Sequence, residues 1–422
     1  MSAQKNGSTT VAEKQNHFFI REGERFLFCP DLRKLYRVRN EDKDKNEPTQ
    51  AGDISFPKNN RTTIVQNTQA LLERRPVDDN IKTTSYKNKD VCDLELAVNQ
   101  IALFITDDCN LRCIYCYEND RKCGKVGKQM NKEVARSAID LLFLEMTKAT
   151  SNKGRIMFSG GEPLLNWKVM RYVIEYTKER MLRENKTILF GVSTNGTILT
   201  KKKIDYLYKY GIDIDFSIDG PQNIHNRQRR FLNGTGSYER LMRNINYCFS
   251  LPIERHTISA KAVATHYSTG ILATILHLQK IGFRRFSFVP AFIYPKTSLD
   301  PLGALTADDI KIMVEQYGLV AKYLVQQLLQ GENIICDTFF PIIKRIYKGI
   351  KQCYGCSAGS KYVAISSEGY IYPCHKFIGM GDSEMGRVDQ YEHFKILQRE
   401  KHANYKIYVD NDDECASVLS HK

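Results

Sequence analysis

Three cysteines stand together in Asp107-Asp108-Cys109-Asn110-Leu111-Arg112-Cys113-Ile114-Tyr115-Cys116, at CxxxCxxC spacing. Thiolates are soft ligands, and three of them in one short loop suit three corners of a [4Fe–4S] cube. With no fourth cysteine in register, one iron keeps an open coordination position at which a ligand can meet the metal directly. A closed zinc site is the competing interpretation of the spacing taken alone.

Such a loop needs elements to hold it. Apolar, β-branched runs lie at Ile101–Thr106, Ile156–Ser159, Ile188–Ser193, Ile212–Ile218, Ile258–Ala264 and Phe286–Pro290. Helix-period segments separate them: Asn131–Met146, Asn166–Arg183, Lys201–Tyr210, Tyr238–Phe249 and Thr269–Ile281. Strands alternating with helices imply a parallel sheet with right-handed crossovers. Six strands fall short of a closed eight-stranded barrel, so the expected fold is α/β, a partial (β/α)6 TIM-like barrel. A small N-terminal α+β module should precede it, and a C-terminal cysteine-containing hairpin and helix extension should follow. In the front module, alternation over Phe18–Val38 predicts two or three short strands, a polar linker covers Arg39–Arg61, and a short helix falls near Thr63–Arg74. A long helix is expected over Thr306–Gln330, opened by Thr306 and Asp309 in a capping-box arrangement, and another over Phe339–Lys348. The boundaries are drawn as 1–95 for the accessory module, 96–300 for the barrel and 301–422 for the extension.

In parallel α/β barrels functional groups collect at the C-terminal ends of the strands. Here Ser159-Gly160-Gly161-Glu162-Pro163 follows the second strand, Ser193-Thr194-Asn195-Gly196 the third, and Ser217-Ile218-Asp219-Gly220-Pro221 the fourth, while Thr265 and Pro290 close the fifth and sixth. The cysteine loop follows the first.

Over about Gln100 to Pro290 this set resembles the core of radical S-adenosylmethionine (SAM) enzymes. The resemblance implies that Cys109, Cys113 and Cys116 hold a [4Fe–4S] cluster whose fourth iron is chelated by the methionyl amine and carboxylate of SAM. It further implies that one-electron reduction releases a 5′-deoxyadenosyl radical, which abstracts hydrogen from the substrate. The residue chemistry agrees. Gly160 and Gly161 let backbone groups approach a ligand, and Glu162 can accept from its ammonium group. Ser193 and Asn195, or Ser217, can bond the ribose hydroxyls, and the resemblance implies that Tyr115 matches the aromatic position near the adenine. His225-Asn226-Arg227-Gln228-Arg229 resembles the His-Asp-x-x-Arg stretch of the peptide-modifying branch, with Arg229 placed to pair with the ligand carboxylate. Asn226 stands where the family usually has Asp, so if that charge matters Arg229 loses a partner.

In the tail, Cys353-Tyr354-Gly355-Cys356 precedes Gly369-Tyr370-Ile371-Tyr372-Pro373-Cys374-His375. This resembles the start of a SPASM domain, which carries auxiliary iron–sulfur clusters; a zinc knuckle is the alternative. Gly369 suits a hairpin turn that would bring Cys356 and Cys374 together. Only Cys415 follows, seven residues before Lys422. A second complete auxiliary cluster therefore has too few ligands, and the fourth ligand of a first stays open between Cys415, His375 and substrate. The tail is read as a truncated or reduced SPASM region. Cys29, Cys92, Cys123, Cys248 and Cys336 stand alone and are expected to be small buried hydrophobes.

The chain has 422 residues, 42% of them hydrophobic, which is enough to bury a sizeable core and excludes wholesale disorder. No apolar run approaches the roughly 18 residues of a membrane-spanning helix, and the polar start Met1–His17 has no signal-peptide core. A cytoplasmic protein is expected, and its twelve cysteines then point to metal or redox chemistry rather than a disulfide scaffold. The net charge of +14 is dispersed rather than blocked, which favours a solvated basic surface over a nucleic-acid site. The leading expectation is a radical SAM maturase acting on a peptide or protein, with thioether crosslinking or related side-chain oxidation. A leader peptide and an electron donor such as flavodoxin or ferredoxin are the expected partners. An anaerobic sulfatase-maturing, formylglycine-forming enzyme and a non-catalytic iron–sulfur homologue are the alternatives.

Overall fold

The computed structural model describes residues 17–21, 24–29, 34–38, 96–116, 127–252, 254, 257–291, 303–348 and 356–404. They fall into two compact units. In the smaller, β1 (His17–Arg21), β2 (Glu24–Cys29) and β3 (Lys34–Val38) form an antiparallel meander. The helix expected near Thr63–Arg74 lies outside the described residues.

The larger unit is built on one sheet of nine strands. In chain order these are β4 (Gln100–Thr106), β6 (Lys153–Gly160), β7 (Thr187–Thr194), β8 (Ile212–Ser217), β10 (Ile258–Ala264), β11 (Arg285–Pro290), β12 (Ile335–Cys336), β13 (Tyr362–Ile365) and β14 (Ile371–Tyr372). The spatial order is β12-β11-β10-β8-β7-β6-β4-β13-β14. Six neighbouring strands, β4 to β11, are parallel and sequential, the α/β partial barrel that the alternating pattern implied. Two additions lie beyond it. β12 extends one edge in parallel, and β13 pairs in parallel with β4 while β14 folds back on it. The tail hairpin is thus part of the barrel sheet. Its turn is carried by Gly369, whose φ of +89° lies in the region that favours glycine.

Helices α1 (Lys132–Lys148), α2 (Trp167–Glu184), α3 (Lys201–Lys209), α5 (Tyr238–Ser250) and α6 (Ile271–Ile281) connect the parallel strands. α1 shows why they form. Asn131 caps it by accepting from the Val134 N–H at 2.8 Å, and Ala135, Ala138, Ile139, Leu142 and Met146 make a buried stripe at three- and four-residue spacing. α7 (Ala307–Leu329) begins with the capping box anticipated for it. The Thr306 N–H donates to Asp309 at 2.8 Å and the Asp309 N–H donates to the Thr306 hydroxyl at 3.2 Å. α8 (Phe340–Lys348) matches the second expected tail helix. Among the described residues no helix is long and apolar enough to cross a membrane. Cys248 and Cys336 are fully buried, as small hydrophobes would be; Cys92 and Cys123 lie outside the described residues, and of the Cys29 side chain nothing is described.

The last helix, α9 (Tyr391–Asn404), is anchored by charge rather than by apolar packing alone. Glu145 of α1, 2% exposed, accepts from Lys395 at 3.0 Å, from the Val98 N–H at 3.0 Å and from the Tyr391 hydroxyl. Removing one partner of a buried pair strands the other charge and costs about 3–5 kcal/mol. Glu145→Ala should therefore lower the unfolding free energy by about that amount, read by chemical denaturation, and free α9 to proteolysis.

Candidate functional site

The cysteine loop is held by an element too short to show in a sequence pattern. β5 (Leu111–Cys113) pairs antiparallel with β9 (Arg229–Phe231), placing Cys113 opposite Arg229. The Ile114 N–H donates to the Gln228 carbonyl at 3.0 Å, and the Cys116 N–H to the Cys113 carbonyl at 3.1 Å. Donors already surround the sulfurs: the Leu111 N–H lies 3.4 Å and the Asn195 amide 3.7 Å from Cys109 Sγ, and Arg229 Nη1 lies 3.9 Å from Cys113 Sγ. Burial pushes the Cys113 thiol well up, and the Arg229 charge opposes this. Metal binding, which removes the thiol proton, would reverse the balance.

All three cysteines line one cavity of about 430 Å³, together with Tyr115, Gly160, Gly161, Ser193, Asn195, Ser217 and Arg229. Every cofactor residue proposed from the sequence except Glu162 is on that wall. Three thiols on the wall of one cavity suit a polynuclear cluster, in which each sulfur binds a different iron, so the donor set fits a [4Fe–4S] cube.

Asp219 is the residue that sequence reasoning passed over. It is 1% exposed and lies just past β8. Its carboxylate accepts from Arg229 Nε at 2.9 Å and Nη2 at 3.2 Å, from the Tyr115 hydroxyl at 2.7 Å, from Gln228 at 3.3 Å and from the Val263 N–H at 3.0 Å. The guanidinium also sits 5.3 Å from the centre of the Tyr115 ring. The question raised by Asn226 is thereby answered: Arg229 draws its carboxylate from Asp219. Asn226 instead accepts from the Tyr238 N–H at 2.9 Å and anchors the start of α5. His225 supports the same corner from behind. Burial holds its pKa down at about 4. Its Nδ1 accepts from the Asp219 N–H at 3.4 Å, which leaves Nε2 to donate to Ser237 at 3.0 Å; the Ser237 hydroxyl donates to the Arg229 carbonyl at 2.8 Å.

The glycines after β6 serve the packing of the chain on itself. A Cβ on Gly160, where φ is +126°, would lie 2.2 Å from the Thr106 carbonyl oxygen, and one on Gly161 2.2 Å from that of Asp108. Two bonds close the same contact, from the Gly161 N–H to Thr106 at 2.9 Å and from the Glu162 N–H to Asp108 at 2.7 Å. Glu162, read from the sequence as the acceptor for a ligand ammonium, has its carboxylate turned into the protein. It is fully buried and accepts from the Thr194 hydroxyl at 2.7 Å, the Asn195 N–H at 2.8 Å and the Leu164 N–H at 3.1 Å. Asn195 is likewise committed. Its amide donates to Asn110 at 3.0 Å and its carbonyl accepts from the Thr197 N–H at 2.9 Å, so it clamps the cysteine loop.

Deeper in the cavity the wall is charged. Arg155, Lys261, Tyr362 and His375 line it. Arg155 pairs with Asp213 at 3.2 Å and Lys261 with Asp215 at 2.6 Å. The signal for these was present in the sequence: Arg155, Asp213, Asp215 and Lys261 interrupt otherwise apolar strands at every-other positions. The tail contributes Tyr362, whose hydroxyl lies 3.1 Å from His375 Nδ1. The Gly359 N–H donates to the Pro373 carbonyl at 2.9 Å, which lays the segment after Cys356 beside Cys374. Cys356 is exposed and Cys374 half-buried, while Cys353 and Cys415 lie outside the described residues.

Comparison with known proteins agrees with this geometry. Residues 103–263 match the radical SAM superfamily. An uncharacterized protein of Methanocaldococcus jannaschii is 32% identical over 33% of this chain and 45% of its own length. The radical SAM cyclopropyl synthase TigE of Paramaledivibacter caminithermalis is 26% identical over 66% of this chain and 57% of its own length. The chain thus spans about half the length of these two relatives. A cysteine-type anaerobic sulfatase-maturating enzyme of Clostridium novyi is 23% identical, with 68% of this chain and 75% of that one aligned. Among solved structures, native anSMEcpe with bound AdoMet and the Cp18Cys peptide superposes with a TM-score of 0.61 at 18% identity, covering 74% of this chain and 82% of that one. Streptococcus suis SuiB bound to its precursor peptide SuiA gives 0.51 at 16% identity, covering 86% and 80%. These two likenesses establish the fold.

Two outcomes follow for the site. Asp219→Asn should misaim Arg229, and on the expectation that Arg229 meets the carboxylate of SAM it should weaken SAM binding to the cluster-loaded protein by about tenfold. Asn226→Asp should leave binding within about twofold, and equilibrium binding of SAM distinguishes the two. Burial raises the Glu162 pKa to about 7, against the opposing bonds from Thr194, Asn195 and Leu164. Its folded value thus exceeds its unfolded one, so its contribution to stability is full below about pH 4.5 and is lost as pH rises through 7. Between pH 5 and 8 the wild type should lose up to about 3 kcal/mol relative to Glu162→Gln, measured by denaturant titration of both proteins.

Proposed function

Residues 103–263 form a radical SAM domain, and from that premise we propose that the chain uses SAM to modify a side chain of a peptide or protein. The domain implies a [4Fe–4S] cluster and SAM. Cys109, Cys113 and Cys116 would hold the cluster, with Arg229 as the partner for the SAM carboxylate, Tyr115 beside the adenine, and Ser193 and Ser217 toward the ribose. The group supplies one-electron reductive cleavage of the SAM sulfonium and, through the fragment released, hydrogen abstraction from substrate. The protein's own residues do the rest. Asp219 keeps Arg229 and Tyr115 in place, the Gly160–Gly161 turn closes the strand end, and the barrel wall encloses the reacting atoms.

One observation carries this reading: three thiols and a buried, pre-oriented guanidinium face the same cavity. A peptide or protein as substrate is supported by relatives described as a cyclopropyl synthase and a sulfatase-maturating enzyme, and by structural neighbours described with bound peptides. The bond formed is a thioether crosslink or a related oxidation at carbon. Formylglycine formation is the second reading, favoured by the greater share of the sulfatase-maturating relative that this chain covers. The front module is proposed to grip a leader peptide, and flavodoxin or ferredoxin to deliver the electron, in the cytoplasm. Cys374 with Cys356, joined by Cys353, Cys415 or His375, is the proposed seat of an auxiliary cluster.

After anaerobic reconstitution and reduction with dithionite, the wild type should release 5′-deoxyadenosine, and Cys113→Ala should release at least about a hundredfold less. Equal release from the variant would overturn the assignment of the cluster to these cysteines, and none from the wild type would leave only the non-catalytic binding role. With Cys109, Cys113 and Cys116 all replaced by Ala, about four residual irons per chain are expected if the tail holds its own cluster; iron near zero would remove the auxiliary cluster from the proposal.

A further inference from the structure

The inner face of the barrel carries charges where a closed barrel would carry packed aliphatic side chains. Along β6 the residues that line the cavity are Arg155, Met157, Ser159 and Gly160, and on β10 it is Lys261. Arg155 lies five residues before Gly160, roughly 16 Å down the strand at about 3.3 Å per residue. The cavity therefore runs from the cysteine loop into the barrel, past Lys261 and toward Arg155.

The signs of the lining charges are uneven. The basic residues Arg155, Lys261 and Arg229 face the space, whereas among the described residues no Asp or Glu lines it. The partners Asp213, Asp215 and Asp219 stand behind them in the wall. Asp215 is only 3% exposed in its side chain, and its second oxygen is taken by the Ser259 hydroxyl. Burial alone would raise its pKa, but Lys261 and then Arg285 outweigh this and bring it to about 2, so it stays a fixed anion. That anion holds Lys261 in one orientation through a 2.6 Å bond, while the lysine side chain remains 39% exposed. An ammonium has three donors, and this bond uses one. An anion in the cavity would meet Lys261 directly and Asp215 only from behind it.

We propose that Lys261, oriented by Asp215 and with Arg155 farther along the same cavity wall, is the docking point for a carboxylate on the substrate, so that the residue seated in the cavity is acidic or carries the C-terminal carboxylate of its chain. The inference rests on the reading that this cavity receives a peptide, and it names the chemistry by which the peptide is chosen. Arg229 is left to the cofactor, so two carboxylates are sorted to two cations at different depths. The overall charge of +14 acts in the same direction by concentrating an acidic chain near the mouth.

The test uses the full chain, reconstituted and loaded with SAM but not reduced, in equilibrium dialysis with three labelled probes. N-acetyl-aspartic acid α-amide offers a side-chain carboxylate, N-acetyl-alanine a terminal one, and N-acetyl-asparagine amide neither. At least one acidic probe should bind about tenfold more tightly than the asparagine amide, and which one does so identifies the source of the carboxylate. Lys261→Met should abolish the difference. Because that change strands Asp215, the double variant Lys261→Met with Asp215→Asn is measured beside it, with a thermal melt to show that it is folded; it too should bind all three probes alike. Equal binding of acid and amide by the wild type, or an undiminished preference in the folded double variant, overturns the docking point. Charge-selective binding by a wild type that releases no 5′-deoxyadenosine on reduction would uphold the docking point and overturn the radical reading beneath it.

Discussion

The buried ion pair of Asp219 and Arg229 is the constraint on which the site depends. Taking two charges out of water costs several kcal/mol each, and that cost is recovered only where geometry and further hydrogen bonds are favourable. Here the side chains are 0% and 9% exposed, and the carboxylate is met by two guanidinium nitrogens, a phenol, an amide and a backbone N–H. Those donors come from the cysteine loop, from the last residue of α4 (Gln222–Gln228), from β9 and from β10. One carboxylate at the end of β8 therefore ties four segments together, and the loop that carries the thiols cannot shift without exposing a charge.

A second constraint operates through backbone contact. The strand ends β4 and β6 approach so closely that only glycine fits at 160 and 161, and the carboxylate of Glu162 is spent on the turn that follows. Such a turn has little freedom to adapt to a ligand. Its geometry is set before anything binds, and this preorganisation is what a site handling a reactive species requires. Asn195, between the third strand and the cysteine loop, joins the two constraints by bonding to Asn110 while its amide approaches Cys109.

The incomplete barrel gives these fixed groups something to act on. A closed eight-stranded barrel fills its interior with side chains, whereas this sheet leaves a cavity of about 430 Å³ walled partly by ion pairs. The tail takes part in that wall, since β13 adds to β4 and places Tyr362 and His375 on it. Ser367 in the hairpin bonds to Asp107 at 3.2 Å, so the residues after the barrel are coupled to the motif that opens the cysteine loop.

What the sequence by itself determined was whatever rests on local pattern. Alternating strands and helices gave the α/β class and the parallel order, because burial periodicity is a property of neighbouring residues. The CxxxCxxC spacing and the motifs at the strand ends gathered the thiols, the glycines, Tyr115 and Arg229 into one expected site, since parallel strands bring their C-terminal ends together whatever lies between. What only the tertiary structure decided was which groups face each other. Asp219 and Arg229 are joined across a helix, Asp215 and Lys261 across 46 positions, and β13 meets β4 some 260 residues away. β5 and β9 have three residues each, too few for any period to register. Glu162 and Asn195 have side chains able to serve a ligand or their own chain, and residue type does not distinguish these uses. The choice lies in the direction of each side chain and in the donors that surround it, which exist only once the distant segments have been packed.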